Sequence, residues 1–137
     1  MSADHFFVRN GEYCFDAQKL PEAHQQCIIR FLDRTTSNRR DSVSDLIIVD
    51  NTNSQVWEYM PYYSVADACG YEVELVHIQW KFSAPDRPLT GNEFLAEKCA
   101  QLAKRNTHGV PLATITRMAK NWQNPLPWHK ETVVEVD

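Results

Sequence analysis

The chain has 137 residues, 43% of them hydrophobic and 23% charged, which excludes a disordered tract and suffices for one buried core. A formal net charge of -4 excludes a generally basic nucleic-acid coat, though not a local basic patch. No apolar run reaches the length of a membrane span, Met1–His5 has no signal-peptide form, and Cys14, Cys27, Cys69 and Cys99 form no C-x-x-C pair. The expectation is a single-domain intracellular protein (cytoplasmic or nuclear) over residues 1–137, with reduced thiols, no metal site and no membrane partner.

In chain order, Leu20, Ala23, Cys27, Ile28, Phe31 and Leu32 share one helical face, with Pro21 suited to the first turn. His24 lies on the apolar side of that helix and is expected as a core histidine. The stretch from Asp33 to Ser44, rich in Arg, Ser and Thr, reads as a loop. Asp45–Asp50 (DLIIVD) is a branched apolar run expected as a strand buried on both faces, as in a parallel sheet. After the turn Asn51–Asn53, a second helix is expected from about Ser54 to Cys69. Pro61 should kink it or delay its start, and Gly70 should close it.

Glu72–Ile78 is the second buried strand, and Ser83–Asn92, with two prolines and a glycine, a second loop. A third helix carries Phe94, Leu95, Cys99, Leu102 and Ala103 and ends near Asn106. Pro111 opens a fourth, with Leu112, Ile115, Met118, Ala119 and Trp122 inward. The proline-punctuated tail 123–137 offers Thr132–Val136 as a late edge strand or a frayed end. This alternation is that of an α/β layer protein with a parallel sheet flanked by helices.

Asp50-Asn51-Thr52-Asn53 follows the strongest strand, and in an open α/β sheet ligands sit outside the carboxyl ends of strands. Its hydroxyl and amides suit phosphate or sugar oxygens, and Asp50 suits a lysine or a metal-bound water. The same residues also suit an N-cap and turn for the next helix. Lys104-Arg105-Asn106 closes the third helix, where the dipole already favours cations, yet an Arg beside a glycine-ended turn also suits a nucleotide lid. Asp4 has the chemistry of a general base, although residues so near a terminus are usually solvated. The aromatics Trp57, Tyr59, Tyr62 and Tyr63 suit core packing at helical spacing, or base stacking. Arg30, Arg34, Arg39 and Arg40 make a loose basic run of the kind that is usually solvated surface.

Several segments recur together in one order: Ser2-Ala3-Asp4-His5-Phe6-Phe7, Tyr13-x-Phe15, Glu22-Ala23-His24, Asp50-Asn51-Thr52-Asn53-x-x-x-Trp57-Glu58-x-x-Pro61-Tyr62, and Gly70-Tyr71-Glu72-Val73. Trp80-Lys81-Phe82, Leu102-Ala103-Lys104-Arg105-Asn106-x-His108-Gly109-Val110-Pro111 and Ile115-x-Arg117-Met118 complete the series. In this the chain resembles the kinase-like P-loop domain of the NEDD-four-binding-protein-two-like group, itself similar to phage polynucleotide kinases. The resemblance runs to Trp122, apart from the two loops. It implies Asp4 as base on an acceptor hydroxyl, with His5 where the kinases carry a second acid and Phe7 where they carry an arginine. It implies Thr52 and Asn53, beside Asp50, as acceptor or phosphate contacts, and Arg105 with Asn106 as the nucleotide lid. ATP and Mg²⁺ are the implied cofactors, and a nucleic acid or nucleotide is the implied acceptor.

One element of that pattern is absent. Among the four glycines, Gly11, Gly70, Gly91 and Gly109, none is followed by Lys-Ser or Lys-Thr, so these residues contain no G-x-x-x-x-G-K-[ST] loop to hold β- and γ-phosphates. The resemblance therefore implies a partial P-loop NTPase fold, nucleoside- or polynucleotide-kinase-like, without its first strand and phosphate loop. That strand would lie between 45–50 and 72–78 in one sheet. Its absence leaves two edges that must pair directly, or with another chain, or with a segment of a longer protein. A truncated kinase domain, inactive by itself, is the first expectation. A non-catalytic pseudokinase module, binding protein or RNA or self-associating through open strand edges, is the alternative.

Overall fold

The computed structural model describes residues 1–36, 46–81 and 89–136, and these divide into two compact units. One comprises Met1–Asn53 with Tyr59–Glu72, the other Ser54–Glu58 with Val73–Asp137.

The first unit opens with a 3-10 turn, Ala3–Phe7, whose N-cap Ser2 accepts the Asp4 N–H at 3.2 Å. Two short strands follow, β1 (Val8–Arg9) and β2 (Glu12–Tyr13), paired antiparallel with Val8 opposite Tyr13. Asn10 (φ 53°) and Gly11 (φ 85°) form the link, the succession of left-handed residues that a two-residue hairpin requires. Helix α1 (Leu20–Thr36) packs on the 3-10 turn. Its buried positions are Ala23, Cys27, Phe31 and Thr35, a strict every-fourth row. Leu20 and Leu32 stay partly exposed beside that row, and His24 is exposed, so the expectation of a core histidine fails. The helix also continues through 33–36, where a loop was expected, while 37–45 lies outside the described residues.

Helix α2 (Val56–Ala68) begins at the late end of the expected range and carries Pro61 inside it. Gly70 closes it at φ 80°, with Tyr71 N–H to Ala66 O at 3.0 Å and Gly70 N–H to Asp67 O at 2.9 Å, the paired bonds of a Schellman end. Phe31 and Tyr62 pack edge to face with centroids 5.1 Å apart, joining α1 and α2 in the core of this unit.

The expected strand 45–50 is not a strand of any sheet. Residues 46–50 are extended, with Leu46 79% and Ile48 62% exposed. Their ladder contacts are with Met1, whose amino group donates to Ile48 O and whose carbonyl accepts the Asp50 N–H at 2.7 Å. The expectation that 45–50 and 72–78 share one sheet is therefore not met. An apolar extended run without neighbouring strands has no ladder to complete, however strong its β-propensity.

In the second unit, β3 (Leu75–Trp80) starts three residues later than expected and pairs in parallel with β4 (Glu131–Val136), Leu75 opposite Glu131 and Ile78 opposite Val134. The tail strand foreseen at 132–136 thus forms, and of the two small sheets this one is parallel, although its partner is not the expected 45–50 run. Glu74 accepts the Thr132 hydroxyl and lies 3.4 Å from the Lys130 ammonium; these contacts hold its carboxyl below the usual carboxylate range. Between the strands lie α3 (Gly91–Arg105) and α4 (Leu112–Lys120), packed on each other. Thr90 and Glu93 form a capping box at the start of α3, which begins inside the stretch expected as a loop. Residues 82–88 of that stretch are outside the described set.

Candidate functional site

Asp4 stands in the 3-10 turn because Ser2 caps it and because Phe7, 2% exposed, anchors its last residue. Phe7, at the place where the resemblance implies an arginine, is buried against the rings of Phe6, Tyr13 and Phe15. Asp4 Oδ1 accepts the Tyr13 hydroxyl at 2.9 Å. Burial, then that hydrogen bond and the carboxylate charge, push the Tyr13 phenol up to about 12. Tyr13 therefore remains a neutral donor across the ordinary pH range.

The Asp50–Asn53 turn is brought to Asp4 through Asn51. The Asn51 Oδ1 accepts the Ala3 N–H at 2.8 Å, and its Nδ2 donates to Cys27 Sγ at 3.6 Å. The Asn53 N–H returns to Asn51 O at 2.9 Å, which tightens the turn. Tyr62 lies against the same cluster. Burial and the Cys27 thiol drive its phenol upward, and the Asn51 amide opposes them. One side chain thus ties the turn carrying Asp4, the extended segment 46–50 and helix α1 together. The side chains of Asp50 and Thr52 are left exposed, and Asn53 is half-buried.

Of the competing reading of 50–53 as an N-cap and turn for α2, the turn forms but the cap does not. That helix start is served by Glu58, whose carboxylate accepts the Gln55 N–H at 2.8 Å and the Ser54 hydroxyl at 3.0 Å, and by Gln123, whose Oε1 accepts the Val56 N–H at 2.9 Å.

Arg105 and Asn106 belong to the second unit, at the end of α3. Arg105 is exposed, whereas Asn106 is turned into its own loop: Nδ2 donates to Val110 O at 2.8 Å and Oδ1 accepts the His108 N–H at 2.9 Å. Gly109, at φ 68°, completes the turn into α4. Asp4, Asp50, Thr52 and Asn53 are therefore gathered in one unit, and Arg105 and Asn106 lie in the other. Sequence reasoning missed the structural weight of Asn51 and the pairing of Tyr13 with Asp4. The spacing Tyr13-x-Phe15 was a visible signal, but only the hairpin turn folds it back onto the 3-10 turn.

Among the described residues no group of three His, Cys, Asp or Glu side chains is placed to hold a metal ion. The described glycines with left-handed backbone close turns and a helix, and none opens a phosphate-cradling helix. The described residues do not by themselves fit Mg²⁺ and a nucleoside triphosphate. Among the described residues, no helix is long and apolar enough to cross a membrane.

No protein-family model matches this chain, and no solved structure does. The chain is 35% identical over 123 residues to NEDD4-binding protein 2 of Homo sapiens, a match covering 90% of this chain. It spans only 6% of the length of that relative. The match agrees with the group that the sequence motifs resemble.

Proposed function

We propose that these residues are part of an ATP-dependent phosphotransferase domain of the polynucleotide-kinase-like type, in which Asp4 takes the proton of an acceptor hydroxyl. The observation that carries the reading is the joining of Asp4 to the Asp50–Asn53 turn through the bond between Ala3 N–H and Asn51 Oδ1. A carboxylate beside a turn with an exposed hydroxyl and an exposed acid is suited to an oxygen-rich acceptor. With Oδ1 engaged by Tyr13, Oδ2 is the atom left to receive the proton. One further feature agrees with a P-loop kinase sheet, the parallel β3–β4 pair. Thr52 and Asn53 would contact acceptor or phosphate, and Arg105 with Asn106 would form the lid.

The grip on the β- and γ-phosphates is not among these residues, so no transfer step is assigned to them alone. Catalysis in this class rests on positioning and charge stabilisation, and without the cradle the 137-residue chain should show negligible transfer. The test is γ-phosphate transfer from labelled ATP to a 5'-hydroxyl oligonucleotide. It is measured on this chain and on the longest in-frame polypeptide that contains it. Transfer by the longer protein, lowered about 10²–10⁴-fold by Asp4→Asn, supports the reading. Robust transfer by the 137 residues alone, or indifference to Asp4→Asn, overturns it. The lack of a phosphate loop in the sequence favours one other reading, a pseudokinase module that binds a protein or RNA. A longer reading frame without G-x-x-x-x-G-K-[ST] would favour that module.

A further inference from the structure

Helix α4 packs on α3, with Ile115, Met118 and Ala119 half-buried and Leu112, Ala113, Arg117 and Lys120 exposed. The exposed residues, with Thr116 and Asn121, line an open groove of about 540 Å³. Leu112, Thr116 and Lys120 form one row four residues apart, and Ala113, Arg117 and Asn121 form the row beside it. The space between two such rows is the shape into which a ridge of another helix packs. The charge along this part of the chain is one-sided. Between Glu97 and Glu131 there is no Asp or Glu, but there are six cations: Lys98, Lys104, Arg105, Arg117, Lys120 and Lys130. The whole chain, by contrast, carries 18 acids against 14 Lys and Arg. Among the described residues neither Arg117 nor Lys120 has an ion-pair partner, and one helical turn apart their like charges repel. The helix dipole favours cations in the last turn of α4, but it does not account for Leu112, 49% exposed, and Ala113 lying open on the same face.

We infer that this groove docks an acidic amphipathic helix of a protein partner, its apolar ridge on Leu112, Ala113 and Thr116 and its carboxylates on Arg117 and Lys120. The inference does not depend on phosphoryl transfer, and it holds for a kinase and for a non-catalytic module alike. A nucleic acid fits the groove less well. Its phosphates would lie over the apolar floor, and none of the residues lining the groove offers an aromatic ring for a base to stack on. Opposed charges steer the partner in and set its register, while the apolar contact holds it.

The test uses the 137-residue chain and a display library of random peptides about sixteen residues long, enough for about four helical turns. Enriched peptides should be acidic, with Leu or Ile at helical spacing. Enrichment of neutral or basic peptides, or of none, overturns the inference. The most enriched peptide, made synthetically with a fluorophore, is then titrated by anisotropy. Arg117→Glu with Lys120→Glu should weaken its binding at least about tenfold, and Arg117→Gln, which adds no acid at the helix end, about threefold. Leu112→Ala should weaken it about three- to tenfold, an effect that attraction by charge alone would not show. A copy of the peptide with every acid changed to Lys should bind the charge-reversed protein more tightly than wild type, which also shows that variant to be folded. Equal binding by wild type and the charge-reversed protein, or no loss with Leu112→Ala, overturns the inference. A single-stranded oligonucleotide that binds wild type more tightly than the peptide does, and loses that binding in the charge-reversed protein, would assign the face to nucleic acid and overturn it likewise.

Discussion

Asn51 occupies a position where the sequence suggested a ligand contact, and both ends of its amide are engaged inside the protein, on Ala3 N–H and Cys27 Sγ. Asn51→Ala leaves a part-buried backbone donor without its acceptor and should cost about 1–2 kcal/mol in urea unfolding. Asn51→Asp retains the acceptor oxygen and should cost less. Tyr13 supplies a pH-dependent test of the neighbouring pair. Folding raises its phenol from 10.0 to about 12, so the folded state holds that proton more tightly. The resulting stability is fully present below pH 10.0 and is lost as pH rises through about 12. The free energy of unfolding measured across that window should fall more steeply for wild type than for Tyr13→Phe. Asp4→Asn should bring the phenol only part of the way back, because burial is the larger cause. A titration of ring-labelled tyrosine reads this directly, and an unchanged Tyr13 midpoint in Asp4→Asn would mean that the hydrogen bond is absent in solution.

At the level of elements, what was legible in the sequence is what local chemistry determines. The every-fourth row Ala23, Cys27, Phe31 marked α1, and Gly70 marked the end of α2 before any tertiary contact was known. Gly70→Ala should cost about 1–2 kcal/mol in thermal or urea unfolding, since no atom crowds an added Cβ and the penalty comes from φ 80° alone. Loop boundaries were less legible, because prolines and glycines mark irregularity without saying where a capping box takes over, as Thr90 and Glu93 do before Gly91. The residues near Asp4 were legible by type but not by association. Tyr13 reaches Asp4 through a hairpin whose left-handed pair, Asn10 and Gly11, is too short a signal to stand out in a single sequence. The run 45–50 was misjudged for a different reason. Its composition is that of a buried strand, but burial and ladder bonds come from neighbours, and neighbours are not written in a strand's own residues.

At the scale of the whole molecule, the second unit is built around little buried apolar surface. Cys99 is its one buried hydrophobic side chain among the described residues, while Val76 (57%), Ile78 (51%), Val133 (50%) and Val134 (37%) remain exposed on its sheet. Parallel strands normally have both faces covered, and an isolated pair of strands is marginal in water. His77 relieves part of one face by stacking on Trp122 at 4.7 Å and meeting Glu131 at 3.2 Å, but the face of Val76, Ile78 and Val134 has no comparable cover among the described residues. Nor does β3 pair with any described strand besides β4, and its interior carries neither the lysine nor the proline that commonly blunts an edge. An apolar face beside an open edge favours association of one chain with another. The purified chain should therefore show a weight-average mass that rises with concentration in sedimentation velocity. Ile78→Lys, which places a charge on the apolar face while leaving the ladder backbone intact, should return it towards the monomer. A wild-type chain that stays monomeric at every concentration would mean that this face is covered in solution, and would remove self-association through the strand edges from consideration.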